Sequence, residues 1–178
     1  SGEYQLGDLV LKAGRSNVEV TASQSVNVSY GSSFSEPPVI FTSVNSVNDE
    51  DVVVARVLSN SNAGIQLALQ EQESLSNGHA SEVVGWIAIE KGNTEIGGRS
   101  IEVTTAYGAN KVVNFNKLSA NKHPVVVTAL ASFRGADTAY AAHRALSSSK
   151  VSAYVQEEQS RDSELGHTSE TISIFIAD

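Results

Sequence analysis

Two stretches of this chain carry the same landmarks in the same order. Residues 70–90 read Gln70-Glu71-Gln72-Glu73, a polar loop, Gly78-His79-Ala80-Ser81-Glu82, and the run Val83-Val84-Gly85-Trp86-Ile87-Ala88-Ile89-Glu90. Residues 156–178 read Gln156-Glu157-Glu158-Gln159, a loop two residues longer, Gly166-His167-Thr168-Ser169-Glu170, and Thr171-Ile172-Ser173-Ile174-Phe175-Ile176-Ala177-Asp178. Self-similarity at this spacing is the signature of one supersecondary unit used twice. The chain is therefore expected to be two copies of one unit.

Between the landmarks, β-branched residues alternate with polar ones. Leu9-Val10-Leu11, Val18-Glu19-Val20-Thr21, Val26-Asn27-Val28-Ser29-Tyr30, Val39 to Val44, Val52 to Leu58 and Ile65 to Glu71 all read as strands, because period-2 alternation places one set of side chains on a buried face. Pro37-Pro38 has no N–H to give a ladder and so opens a strand rather than sitting within one. Ser59 to Gly64 is dense in turn formers and predicts a hairpin between the strands that flank it. In the second copy, Lys111 to Phe115 answers Ser25 to Ser29, His123 to Thr128 answers Pro37 to Thr42, Ala141 to Leu146 answers Val53 to Leu58, and Lys150 to Glu157 answers Gly64 to Glu71. Asp137 to Leu146 is alanine-rich, but its counterpart is a plain strand, so strand is expected there too.

Short strands, frequent turn signals and no sustained helical period predict an all-β fold: two tandem antiparallel β-sandwiches related by an internal repeat. The boundary is expected near residues 91–94, giving units 1–92 and 93–178. So short a linker makes the two pack as a pseudo-symmetric pair. Ser1-Gly2 has the look of a cloning remnant, so the chain is expected to be part of a larger multidomain protein.

Composition removes several function classes. There is no cysteine, which excludes disulfides and thiolate metal sites. Net charge is −8 with the basic residues scattered singly; that argues against nucleic acid and against anionic membrane surfaces, both of which need clustered cations. No apolar run exceeds strand length, so no span of a bilayer is expected. A nucleophile elbow and a phosphate-cradling glycine loop are both missing from the sequence.

The order Pro37-Pro38-Val39, an acidic loop, Ala55-Arg56-Val57, Gly64-Ile65 and Gly85-Trp86-Ile87-Ala88-Ile89-Glu90 resembles the H-type lectin module. The likeness covers residues 25–90 and, more loosely, 112–178, and the Gly-His-x-Ser-Glu portion is similar to the bacterial branch of that family. The resemblance implies a six-stranded antiparallel sandwich, carbohydrate as partner, galactose-type sugars as ligand class, trimeric assembly and secretion or display at the cell surface. Where the agglutinins carry an aromatic followed by histidine, this chain has Gln72-Glu73 and Glu158-Gln159; where they carry an arginine, it has Val52 and Tyr140.

A sugar site takes planar polar groups for vicinal hydroxyls and a platform for C–H faces. Arg56, Glu71, Glu73 and His79 supply such groups in the first copy, and Arg144, Glu157, Glu158 and His167 in the second. Tyr140, His143 and Phe133 are the platform candidates. With one Trp, five Tyr and five Phe in the chain, a broad stacking surface for crystalline polysaccharide is not expected. Trp86 answers Ile174 and reads as core. His79-x-x-Glu82 and His167-x-x-Glu170 read as imidazole–carboxylate bonds that pin the loop before the last strand, with metal ligation aided by Glu71 or Glu157 as the alternative; no resident cofactor is expected, and the oxygen-rich Asp49-Glu50-Asp51 loop is the candidate calcium holder. The functional expectation is a non-catalytic carbohydrate-binding module, with a structural or adhesive spacer as the rival and catalysis a distant third.

Overall fold

The computed structural model describes residues 1–19, 25–75, 78–114 and 124–178. Residues 20 and 21 of the expected strand at 18–21, and Phe115 and His123, lie outside them. The described residues form strands and connecting loops without helix. In the N-terminal half the strands are β1 (Gly2–Leu6), β2 (Leu9–Val18), β3 (Val26–Ser29), β4 (Val39–Val44), β5 (Val53–Asn60), β6 (Gly64–Glu71) and β7 (Glu82–Ile89). In the C-terminal half they are β8 (Gly92–Ile96), β9 (Arg99–Gly108), β10 (Asn110–Asn114), β11 (Val125–Leu130), β12 (Ala139–Arg144), β13 (Lys150–Glu157) and β14 (Glu170–Ala177).

All pairings are antiparallel. The N-terminal half holds a sheet in the order β1-β2-β7-β4 and a second in the order β3-β6-β5; the C-terminal half holds β8-β9-β14-β11 and β10-β13-β12. Each pair of sheets closes over its own apolar layer, as alternation requires when one face of every strand is buried. Trp86, Tyr30, Phe34, Ile40, Leu67 and Leu69 fill the first. Trp86 is 2% exposed and its ring lies 5.8 Å from that of Tyr30, so it is core, as expected. Ile172, Ile174, Ile176, Leu130, Val151 and Val155 fill the second.

A third apolar layer joins the halves. Leu9, Val39 and Ile89 meet Ile101 and Val103, with Phe41 and Phe175 packed at the edge. The halves are therefore not beads on a linker, since water is excluded from the seam between them.

Three sequence expectations change. The strand expected at 9–11 runs on to Val18, the first residue of the one expected at 18–21, because Ala13 to Asn17 pair residue by residue with Val83 to Ile87. A strand not expected, β1, turns back on β2 through Gly7-Asp8, and β8 turns on β9 through Gly97-Gly98, both glycines at positive φ (59° and 74°) as a two-residue hairpin demands. The third change concerns Arg144. Val53 pairs with Glu71 and Arg56 with Ala68, while Ala139 pairs with Glu157 and Ala142 with Tyr154. By strand pairing, Ala142 rather than Arg144 stands across from Tyr154 as Arg56 stands across from Ala68, two positions from the correspondence that residue order suggested.

Candidate functional site

The two Gly-His-x-Ser-Glu stretches build the same local arrangement. Glu82, at the start of β7, accepts hydrogen bonds from the Ser46 hydroxyl, the Asn48 backbone N–H (2.6 Å) and His79 Nε2 (3.1 Å). Ser46 Oγ in turn accepts from the Val83 N–H at 2.7 Å. Glu170, at the start of β14, accepts from the Ser132 hydroxyl, the Arg134 N–H (2.8 Å), the Gly135 N–H (3.2 Å) and His167 Nε2 (3.3 Å). Ser132 Oγ accepts from the Thr171 N–H at 2.7 Å. Both glutamates are buried, and a buried carboxylate persists only where donors surround it. The histidines hold the loop before the last strand, as their spacing predicted.

The second network receives two further groups. Arg56 crosses from β5 of the other half and places Nη2 2.8 Å from Glu170 Oε1, while its Nη1 donates to Gln70 Oε1 at 2.6 Å and its guanidinium lies 4.3 Å from the Phe133 ring centroid. Glu157 meets His167 Nδ1 at 2.8 Å, so both ring nitrogens of that histidine face carboxylates. Burial pushes the Glu170 carboxyl up, but the Ser132 hydroxyl, two backbone N–H groups and the charge of Arg56 outweigh it and hold the group below the usual range. Burial pulls the Arg56 guanidinium down and Glu170 opposes that shift. His79 Nδ1, in the first network, is buried and has no hydrogen-bond partner among the described residues, and the same holds for Glu71 Oε1 at the junction.

An open cleft of about 420 Å³ lies beside this junction. Leu69, Gln70, Glu71, Gln72, Glu73 and Leu75 form one wall and Phe133, Ala136, Asp137, Thr138 and Arg161 the other. Hydrogen bonds across the junction set its width: Gln70 Nε2 donates to the Ala136 carbonyl at 2.7 Å, the Thr138 hydroxyl donates to the Glu71 carbonyl, and the Glu73 N–H donates to Glu158 Oε2 at 2.9 Å. Desolvation raises the Glu73 carboxyl, and Asp137, Asp162, Glu158 and Glu157 add repulsion in the same direction. Burial raises Glu158 as well, but donors from Glu73 and Ser160 overcome it and its carboxyl lies low.

Sequence reasoning assigned the polar candidates to two separate sites, one per copy. The structure instead brings Arg56, Glu71, Glu73, Glu157, Glu158 and His167 to one junction. Arg56, Glu157 and His167 are buried in the ion-pair network, and Glu71 and Glu73 line the cleft. His79 is alone in the other network. Tyr140 is exposed and lines a second, smaller cleft of about 250 Å³, between residues 42–44 and 53–55 of one half and 128–130 and 139–141 of the other. Arg144 lies 5.0 Å over the Tyr154 ring, and His143 is exposed beside it.

Ser46, Ser132, Asp137 and Arg161 were not anticipated. The serines had a signal, since each stands two residues beyond a matched strand end, Val44 and Leu130. Asp137 and Arg161 sit in loops of unequal context in the two halves and had none. No three His, Asp or Glu side chains among the described residues are set to hold a metal ion. Asp49, in the acidic loop, instead caps the backbone N–H groups of Asp51 and Ala80, and those bonds keep its carboxyl low.

Compared with family models, curated proteins and solved structures, the chain finds no match.

Proposed function

We propose that residues 1–92 and 93–178 are two copies of one antiparallel β-sandwich of the H-type lectin kind, and that the pair acts as a non-catalytic carbohydrate-binding module of a secreted or cell-surface protein. The two-copy reading is supported by strand orders that correspond when each number is raised by seven, and by the twin glutamate–histidine–serine networks. The sugar reading rests on the junction cleft. Glu71, Glu73, Asp137, Gln72 and Arg161 surround the Phe133 edge in a space of ligand size, and planar acceptors and donors around an aromatic suit vicinal hydroxyls and the C–H face of a sugar ring.

Binding at one such open cleft is weak, and avidity comes from repetition along a polymer. The test is a glycan array together with pull-down on insoluble polysaccharides, agarose-type galactans included. Retention of one sugar class that is lost in an Asp137→Ala variant supports the module. Silence across the panel overturns it.

The rival reading, a structural or adhesive spacer, is favoured by one observation: the strongest polar groups, Arg56, Glu157, His167 and Glu170, are spent on each other inside the protein. It predicts a melting temperature unmoved by every sugar of the panel.

A further inference from the structure

The outer face of the β10-β13-β12 sheet is open. Burial alternates along β13: Val151, Ala153, Val155 and Glu157 point into the second half, while Lys150, Ser152, Tyr154 and Gln156 point out. Strand pairing sets Asn110 and Ala142 on either side of Tyr154, and Val112 and Arg144 on either side of Ser152. In the other half, Arg56 and Ala68 are paired as Ala142 and Tyr154 are, yet both are fully buried, with Phe133 of the second half against the guanidinium. The covered face carries alanine where the open one carries tyrosine, so the Tyr154 ring does not serve to join the halves.

A cleft of about 340 Å³ lies on the open face, with Asn110, Arg144, Tyr154, Gln156 and Leu165 in its lining, a space of ligand size. The Arg144 guanidinium stands 5.0 Å over the Tyr154 ring, and Leu165 is exposed beside them. Asn110 Oδ1 accepts from the Ser152 hydroxyl at 3.0 Å, which leaves the amide N–H groups of Asn110 to donate elsewhere.

Charge separates this cleft from the one at the junction. The junction cleft is lined by Glu71, Glu73 and Asp137 and repels anions. No carboxylate lines the cleft at Tyr154, and Lys150 lies on the same sheet face as Arg144. Arg144 has no carboxylate partner among the described residues, in a chain where acidic residues outnumber basic ones twenty to twelve. A cation held over an aromatic ring without a counter-ion is open to an anionic ligand.

We propose that this cleft is a second sugar site and that it takes an acidic glycan, seating a ring that bears a carboxylate. The planar carboxylate accepts from the guanidinium fork of Arg144. The C–H face of the ring packs against Tyr154 and Leu165, and Asn110 and Gln156 meet its hydroxyls. Lys150 attracts a further carboxylate along the polymer. The inference shares with the module reading its class of ligand, and is independent of the junction cleft.

Native affinity electrophoresis tests it, in gels that contain polygalacturonate, dextran sulfate or a soluble neutral galactan. Polygalacturonate is expected to retard the wild-type protein. Arg144→Gln and Tyr154→Ala should each bind it roughly tenfold more weakly at an unchanged melting temperature, while Asp137→Ala at the junction binds it as the wild type does. No retardation by polygalacturonate overturns the proposal, as does retardation that survives Arg144→Gln. Equal retardation by dextran sulfate also overturns it, since bare charge then suffices. Retardation by the neutral galactan alone, lost in Asp137→Ala, would leave the junction site standing and remove this one; the reverse pattern would do the opposite.

Discussion

Arg56 Nη2 and Glu170 Oε1 are 2.8 Å apart and 114 residues apart in sequence, with both side chains fully buried. The pair ties β5 of one half to the start of β14 of the other, at the point where Ser132 and two backbone N–H groups already hold the glutamate. Removing the arginine leaves a buried carboxylate short of its counter-charge, which typically costs about 3–5 kcal/mol. Arg56→Ala is expected to lower stability by that order in urea denaturation. Arg56→Met combined with Glu170→Gln should recover much of the loss, because a neutral pair of similar volume carries no stranded charge.

The halves are expected to unfold together. The protein has a single tryptophan, Trp86, buried in the N-terminal half, so its fluorescence reports that half while far-UV circular dichroism reports both. Coincident urea transitions by the two probes mark one cooperative unit. Two separated midpoints would show that the seam of Leu9, Val39, Ile89, Ile101 and Val103 is too weak to couple them. Trp86→Ala removes a fully packed ring and is expected to cost about 3–5 kcal/mol.

Acid should act on this protein through two groups of opposite sign. Glu170 titrates below its unfolded value in the native state, so its contribution is complete at neutral pH and is lost as pH falls through that low native value. Glu73 titrates above its unfolded value, so its contribution is complete below the ordinary carboxylate range and is lost as pH rises through the native value. Glu73→Gln is accordingly expected to raise the melting temperature at neutral pH and to leave it unchanged below the ordinary carboxylate range. Glu170→Gln should flatten the acid limb of the stability curve.

Gly135 has no room for a side chain: a Cβ built on it would stand 2.2 Å from Cε1 and 2.3 Å from Nε2 of His167. Gly135→Ala must push the imidazole off both glutamates or move the loop that donates to Glu170. A cost of about 1–3 kcal/mol is expected, as for other overpacked sites, and thermal denaturation against an Ala136→Ser control in the same loop would read it.

At the junction cleft, Asp137→Ala and Gln72→Ala each remove one polar group from the lining. A lost hydrogen bond of about 1 kcal/mol translates to roughly fivefold weaker sugar binding, measured by titration calorimetry against whichever glycan the array identifies. Melting temperatures should stay at the wild-type value.

Much of the architecture was legible in residue order. Alternation in Val26 to Ser29, Val39 to Val44 and Ile65 to Glu71 declared strands, because a half-buried strand writes its two faces into successive residues. The paired landmarks around His79 and His167 declared two matching loops, and the imidazole–carboxylate bond three residues apart is a local feature that spacing reveals. Residues Ala13 to Asn17 carry no alternating apolar set, and their place in β2 is dictated by pairing with β7.

What sequence could not express was the relation of one half to the other. Arg56 and Arg144 look alike in the chain, yet they stand at different places of their ladders, and only packing decides that one arginine is buried against Glu170 while the other lies on an exposed sheet face. The junction cleft has the same origin. Its walls come from residues 69–75 and 133–161, and no periodicity links them. Backbone pattern and turn chemistry act over a few residues and are readable along the chain; burial of a charge and the width of a cleft depend on contacts made across it, and those exist only once the two halves have met.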